Sequence, residues 1–108
     1  MKFRDAWTRG IYKAEAQNIA RRLSDCPGNC MTPAIFAQTA VDLLCPCGVQ
    51  IEVRDKDWIE TKKMNAFLSV ARGSCEPPVF LELGYCGGSL EEKPIVLIGK
   101  INQDVIPK

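Results

Sequence analysis

Histidine is absent from all 108 residues. That excludes a Ser-His-Asp triad, a Cys-His pair and any zinc site with imidazole ligands within this chain. No apolar run approaches the roughly 18 residues needed to span a bilayer. The opening residues, MKFRDAWTRG, lack the apolar core of a signal peptide, so the expected location is cytoplasmic and reducing. An excess of charge of either sign is also missing: 14 Lys+Arg face 13 Asp+Glu, for a net charge of +1. Electrostatics therefore provides no case for nucleic acid or a membrane surface as partner. No GxSxG, HExxH or GxGxxG motif occurs. Gly99-Lys100 fails as a phosphate loop, because Pro94 and Ile101 stand where that motif needs glycine and a hydroxyl residue.

Six cysteines are present. Three residues separate Cys26 from Cys30 and one separates Cys45 from Cys47, whereas paired zinc ligands usually have two between them. Cys75 and Cys86 stand alone. The spacing favours small, reduced side chains over a four-thiolate zinc site, and a reducing compartment disfavours disulfides.

Trp7, Ile11, Ala14, Ile19 and Leu23 recur at helical spacing, which predicts an amphipathic helix over 6–23 that the turn cluster 25–29 ends. Thr32-Pro33 suits the start of a second helix, with Thr32 as cap, and Pro46 and Gly48 stop it. Val49, Ile51 and Val53 alternate with polar residues, as in a short strand. Asp57 and Glu60 have capping-box spacing. Ile59, Lys63, Ala66, Phe67 and Val70 predict one further helix, with Gly73 as a left-handed stop. Residues 79–85 and 95–98 read as two more strands. The order favours a parallel pair joined by a right-handed crossover. Ile95-Val96-Leu97-Ile98 is apolar on both faces and so belongs inside a covered sheet. The expected fold is an incomplete three-layer α/β fragment, with about three helices and three strands of a mixed, mostly parallel sheet.

Pattern alone goes no further on function. Asp55, Asp57 and Glu60 sit at a helix start, where carboxylates favour the helix dipole. Glu91 and Glu92 lie in a loop. Lys100, at the end of an apolar strand, is where α/β sheets tend to build sites, but a solvated surface lysine has the same signature.

Several motifs in order carry a resemblance to a family. Asn18-Ile19-Ala20-Arg21-Arg22-Leu23 and Pro27-Gly28-Asn29-Cys30-Met31-Thr32-Pro33 are similar to the "N-L-A-R-x-L" helix and "P-x-N-x-M-T-P" turn of leucyl (cytosol) aminopeptidases. Trp58-Ile59 and residues 64–74 resemble that family's "M-G-x-x-x-x-V-x-x-G-S" helix, and Glu76-Pro77-Pro78 follows as it does there. Residues 94–100 resemble the strand before its metal-binding "G-K-G" turn. The resemblance runs from about residue 5 to Lys100.

It implies removal of N-terminal residues from peptides by a two-metal centre holding Mn²⁺ or Zn²⁺, in a homo-hexamer. Carboxylates bridge the two ions there, and a bridging water is the nucleophile. Lys100 takes the place of the family's first metal ligand, with substrate contact there also implied. Ligation needs a neutral amine, which burial beside two cations favours. Leu23, Ser24 and Cys26 match an ancillary cation site built largely from backbone oxygens, although Ser24 and Cys26 differ from the usual side chains.

The resemblance also marks departures. Ile101 follows Lys100 where the family has glycine, and Asp104 lies four residues on where the family's aspartate ligand lies five. The remaining carboxylates and the catalytic lysine and arginine have no counterpart. The implied organisation is a linking helix over 1–26, the first part of the catalytic domain over 27–100 and a divergent tail over 101–108. The implied function is that of a metalloaminopeptidase fragment, inactive as an isolated chain. Two alternatives remain: an interaction segment that pairs with full-length subunits through an exposed sheet edge, and a thiol-metal module.

Overall fold

The structure, a computed structural model, describes residues 2–101. Helix α1 spans Lys2–Asp25, starting four residues before the expected helix and running through Gly10. No α1 residue is buried. Its apolar stripe begins in solvent, with Trp7 74% exposed, and becomes half-buried only at Ile19 and Leu23. Two backbone N–H groups, of Cys30 and Met31, then donate to the Pro27 carbonyl, both at 2.9 Å, and close the turn that follows.

Helix α2, Pro33–Leu44, begins as its residue types require. The Thr32 hydroxyl accepts the Ile35 N–H at 3.3 Å, and Pro33 occupies a position where no N–H is needed. A single 3₁₀ turn over Cys45–Cys47 follows, ending at Gly48 with φ 82°. Only glycine adopts that conformation without steric cost, so it is Gly48 that turns the chain into strand β1, Gln50–Arg54.

The single helix expected next is two. Asp55 caps α3, Lys56–Thr61, by accepting the Trp58 N–H at 2.9 Å; the cap is thus two residues earlier than the Asp57–Glu60 spacing suggested. Lys63 then adopts φ 54°, a left-handed conformation unusual for a side-chain-bearing residue, and α4 runs over Asn65–Ala71. Gly73 is not left-handed; its N–H simply donates to the Val70 carbonyl at 3.2 Å.

Strand β2, Phe80–Gly84, pairs with β1 in antiparallel register, placing Phe80 opposite Arg54 and Gly84 opposite Gln50. The expected parallel crossover is therefore corrected. Parallel pairing needs a connection that returns along the sheet's full length. Here the start of β2, Phe80, lies opposite the end of β1, Arg54, so the connection returns the chain to the end it left and β2 runs back the other way.

The expected third strand is also corrected. Residues 94–101 have no regular structure, and Ile95, Val96, Leu97 and Ile98 are 89%, 74%, 91% and 94% exposed. A strand apolar on both faces needs a sheet neighbour and cover on either side. A sheet of two five-residue strands with four helices around it provides neither. The described residues thus form a mixed α/β arrangement with four helices and a two-stranded sheet, not three layers.

Packing is correspondingly thin. Helix α2 lies on β1, and α3 on α4. Buried apolar residues among those described are Ala37, Ala40 and Ile59, the last fully. Beside Ile59, Trp58 stacks on Phe80 at 5.6 Å between ring centroids, and Phe67 meets Phe80 edge-on at 6.1 Å. The radius of gyration is 16.8 Å, against about 13 Å for a compact domain of this length.

One polar arrangement stabilises the sheet. Glu52 and Glu82 are directly opposed across the strands, a repulsive pairing. Arg54 contacts both carboxylates, reaching Glu82 at 3.1 Å, and lies over the Trp58 ring at 5.0 Å. The guanidinium thus offsets the like-charge pair while packing on an aromatic face.

Candidate functional site

Lys100 sits in the exposed, irregular stretch after the apolar run, not at the end of a formed strand. Burial, which ligation by an amine favours, is not present around it. Among the described residues, no group of three or more Asp, Glu, Cys or His side chains comes together in a way that holds a metal ion. Asp104 lies outside the described residues.

The acidic residues near helix starts and strands have structural partners instead. Asp55 caps α3. Glu60 pairs with Lys56 one turn away at 3.6 Å. Glu52 and Glu82 share Arg54. In the 89–92 loop, the Ser89 hydroxyl accepts the Glu91 N–H at 3.3 Å, and the Ser89 carbonyl accepts the Glu92 N–H at 3.2 Å. These contacts make turns and helix ends. They do not converge on Lys100.

A two-metal centre needs several bridging oxygen donors. Lys100 brings one nitrogen, the carboxylates of Glu52, Asp55, Glu60 and Glu82 have partners of their own, and no donor group gathers among the described residues. The described residues do not fit such a centre.

Leu23, Ser24 and Cys26 are brought together by the end of α1. The last four carbonyls of a helix have no partner within it, so backbone oxygens are on offer there. The Ser24 hydroxyl, however, turns back to donate to the Ala20 carbonyl at 2.9 Å, away from any cation at the turn. Leu23 and Cys26 are half-buried.

Sequence reasoning missed a shallow groove of about 220 Å³, lined among others by Val53, Arg54, Asp55, Pro77 and Pro78. Its faint signal was Pro77-Pro78, a stiff segment leading into β2. It also missed the Trp58–Phe80–Phe67 cluster, since Trp58 and Phe80 lie far apart in sequence and meet only once the strands pair in antiparallel register.

Cys30, Cys45, Cys47, Cys75 and Cys86 carry free, exposed thiols, and Cys26 is half-buried. No helix among the described residues is long and apolar enough to cross a membrane.

Helices that precede and interrupt a small sheet, with an apolar run ending in a lysine, define a mixed α/β chain whose described residues assemble no catalytic constellation. Comparison with known proteins gives that frame a lineage. The cytosol aminopeptidase family, catalytic domain, matches residues 18–101. The cytosol aminopeptidase of Xenopus tropicalis is 49% identical over 98 residues, and that of Bos taurus 48% identical over 99. The human cytosol aminopeptidase is 44% identical over 99 residues. These alignments cover 88–89% of this chain but 19% of each relative. The chain belongs to the cytosol aminopeptidase family, and it spans about a fifth of the length of the relatives it matches.

Proposed function

We propose that this chain is a segment of a leucyl-type metalloaminopeptidase, covering the linking helix (1–26) and the first part of the catalytic domain (27–100), followed by a divergent tail (101–108). The observation that carries the family reading is the catalytic-domain match over residues 18–101, a range that contains the motifs from Asn18 to Lys100, while the division at 26/27 and the divergent tail rest on the order of those motifs in the sequence. Removal of N-terminal residues from peptides, two Mn²⁺ or Zn²⁺ ions per subunit, hexameric assembly and a cytoplasmic location belong to this proposal as properties of the full-length family.

As an isolated chain it is inactive. Lys100 contributes one position of the two-metal centre and one contact for substrate. When bound, the two ions of such a centre polarise the scissile carbonyl and supply a nucleophilic water. A single amine holds neither ion in the geometry this needs. The test is hydrolysis of leucine 4-nitroanilide by the purified chain with added Mn²⁺ or Zn²⁺. The expected rate is that of buffer. Turnover that is lost in Lys100→Ala would overturn inactivity.

A second reading rests on the four exposed aliphatic side chains at 95–98. Patches of this kind mark interaction surfaces, and the two strands each leave an edge unpaired among the described residues. In this reading the chain pairs through its sheet edge with intact subunits. Co-purification with a full-length family member supports it, and a monodisperse monomer that ignores that subunit contradicts it.

A further inference from the structure

Ile95, Val96, Leu97 and Ile98 lie in solvent without regular structure. An uncharged, mostly β-branched stretch suits a strand, and here it lacks an edge to pair with. Its flanking charges select one. Glu92 precedes Val96 by four residues, and Lys100 follows it by four. In an extended chain residues at even spacing share a face, so Glu92, Val96 and Lys100 stand on the same side. Neither Glu92 nor Lys100 has an ion-pair partner among the described residues.

We propose that residues 92–100 pair with the same residues of a second copy of this chain, antiparallel, with Val96 opposite Val96. In that register Ile95 faces Leu97, Pro94 faces Ile98, and Glu92 of each copy faces Lys100 of the other. The backbone agrees. Opposed residues in an antiparallel pair alternate between those that exchange hydrogen bonds and those whose N–H and C=O point outward. With Val96 in the outward class, Pro94 and Glu92 are outward too. Pro94 has no N–H to give, and the Glu92 N–H already donates to the Ser89 carbonyl at 3.2 Å. Ile95 and Leu97 then exchange the central bonds.

Neighbouring registers fail on charge or on backbone. Centring the pair between Val96 and Leu97 sets Lys93 against Lys100, a repulsive pairing. A shift the other way sets Glu91 against Lys100. With Pro94 kept outward, those two become a hydrogen-bonded pair, yet the Glu91 N–H already donates to the Ser89 hydroxyl at 3.3 Å. Parallel stacking in register sets every charge against its like. Pro94 also spoils the outer edge of the pair, where its missing N–H is needed, so pairing stops at two copies instead of growing into a fibre. This inference goes beyond the peptidase reading and does not depend on it.

The test is sedimentation equilibrium of the whole chain, kept reduced so that its exposed thiols form no cross-links. A two-stranded unit of this size is marginal alone, so the expected result is a weak, reversible dimer, half-formed at a concentration on the order of 0.1 mM. Val96→Lys sets two cations opposite each other and should abolish it. Val96 is 74% exposed, so the variant should keep the circular dichroism of the parent. Glu92→Lys and Lys100→Glu should each weaken the dimer roughly tenfold, and the double reversal should restore it. A chain still monomeric at about 1 mM, a dimer indifferent to Val96→Lys, a double reversal no tighter than the single ones, or fibres that bind thioflavin T would each overturn the pairing.

Discussion

Ile59→Ala and Ile98→Ser set the structure against the hydrophobic pattern of the sequence. By pattern, Ile98 is the better core residue, since it closes an uninterrupted aliphatic run. In the structure Ile59 is 0% exposed and Ile98 94%. Truncating a fully buried isoleucine to alanine removes its transfer free energy and leaves a cavity, at about 2–5 kcal/mol. With three buried apolar residues among those described, neighbours have little means of collapsing into the gap, so a cost of about 3 kcal/mol is the reasonable centre of that range. At a urea dependence of about 1–1.5 kcal/mol/M, the unfolding midpoint drops by roughly 2 M or more. Ile98→Ser removes a side chain already in water and stays within about 0.5 kcal/mol. Urea unfolding followed by Trp58 fluorescence in a Trp7→Phe background measures both, because Trp58 stacks within the cluster and Trp7 is exposed. A loss in Ile98→Ser equal to that in Ile59→Ala would refute the reasoning, as it would mean that residues 95–98 are packed.

Thr32→Ala and Asp55→Ala each remove a side-chain acceptor from a helix N-terminus, and each should cost about 1 kcal/mol in the same urea experiment. Neighbouring lysines should respond with opposite signs to glycine. Lys63, at φ 54°, is relieved by glycine and gains about 0.5–1 kcal/mol, whereas Lys62, at φ −79°, only loosens the unfolded chain and loses about as much. Equal shifts at the two positions would contradict the backbone assignment.

How much of this was legible depended on whether the signal was local. Thr32-Pro33 starts a helix by chemistry that needs only its own neighbours, and the structure places the cap there. Gly48 ends the α2 segment for the same reason, and alternation at 49–53 and the run 79–85 locate the two strands. The break at 62–64 was hidden, because residues 58–72 contain no Gly or Pro and their apolar stripe continues across it. Strand direction was hidden as well, because the connection over 55–79 returns to the end of β1 that it left, and no local signal marks that return. For 95–98, apolar pattern says what a segment would bury, not whether anything lies against it.

The candidate site was legible only in part. Lys100 stands out through the motif that precedes it, and no property of the isolated residue distinguishes it from a surface lysine. The acidic residues were correctly read as helix-start groups at Asp55, but their pairing with Arg54 and Lys56 depends on register and helix phase. The Trp58–Phe80 contact required antiparallel pairing, where the crossover argument favoured parallel.

The central claim is that one amine without gathered carboxylates cannot assemble a two-metal centre. Equilibrium dialysis of the purified chain against micromolar Mn²⁺, with total metal measured, tests it most directly. The account predicts well under one tightly held ion per chain, unchanged in Lys100→Ala. Two ions per chain, lost together in that variant, would contradict it.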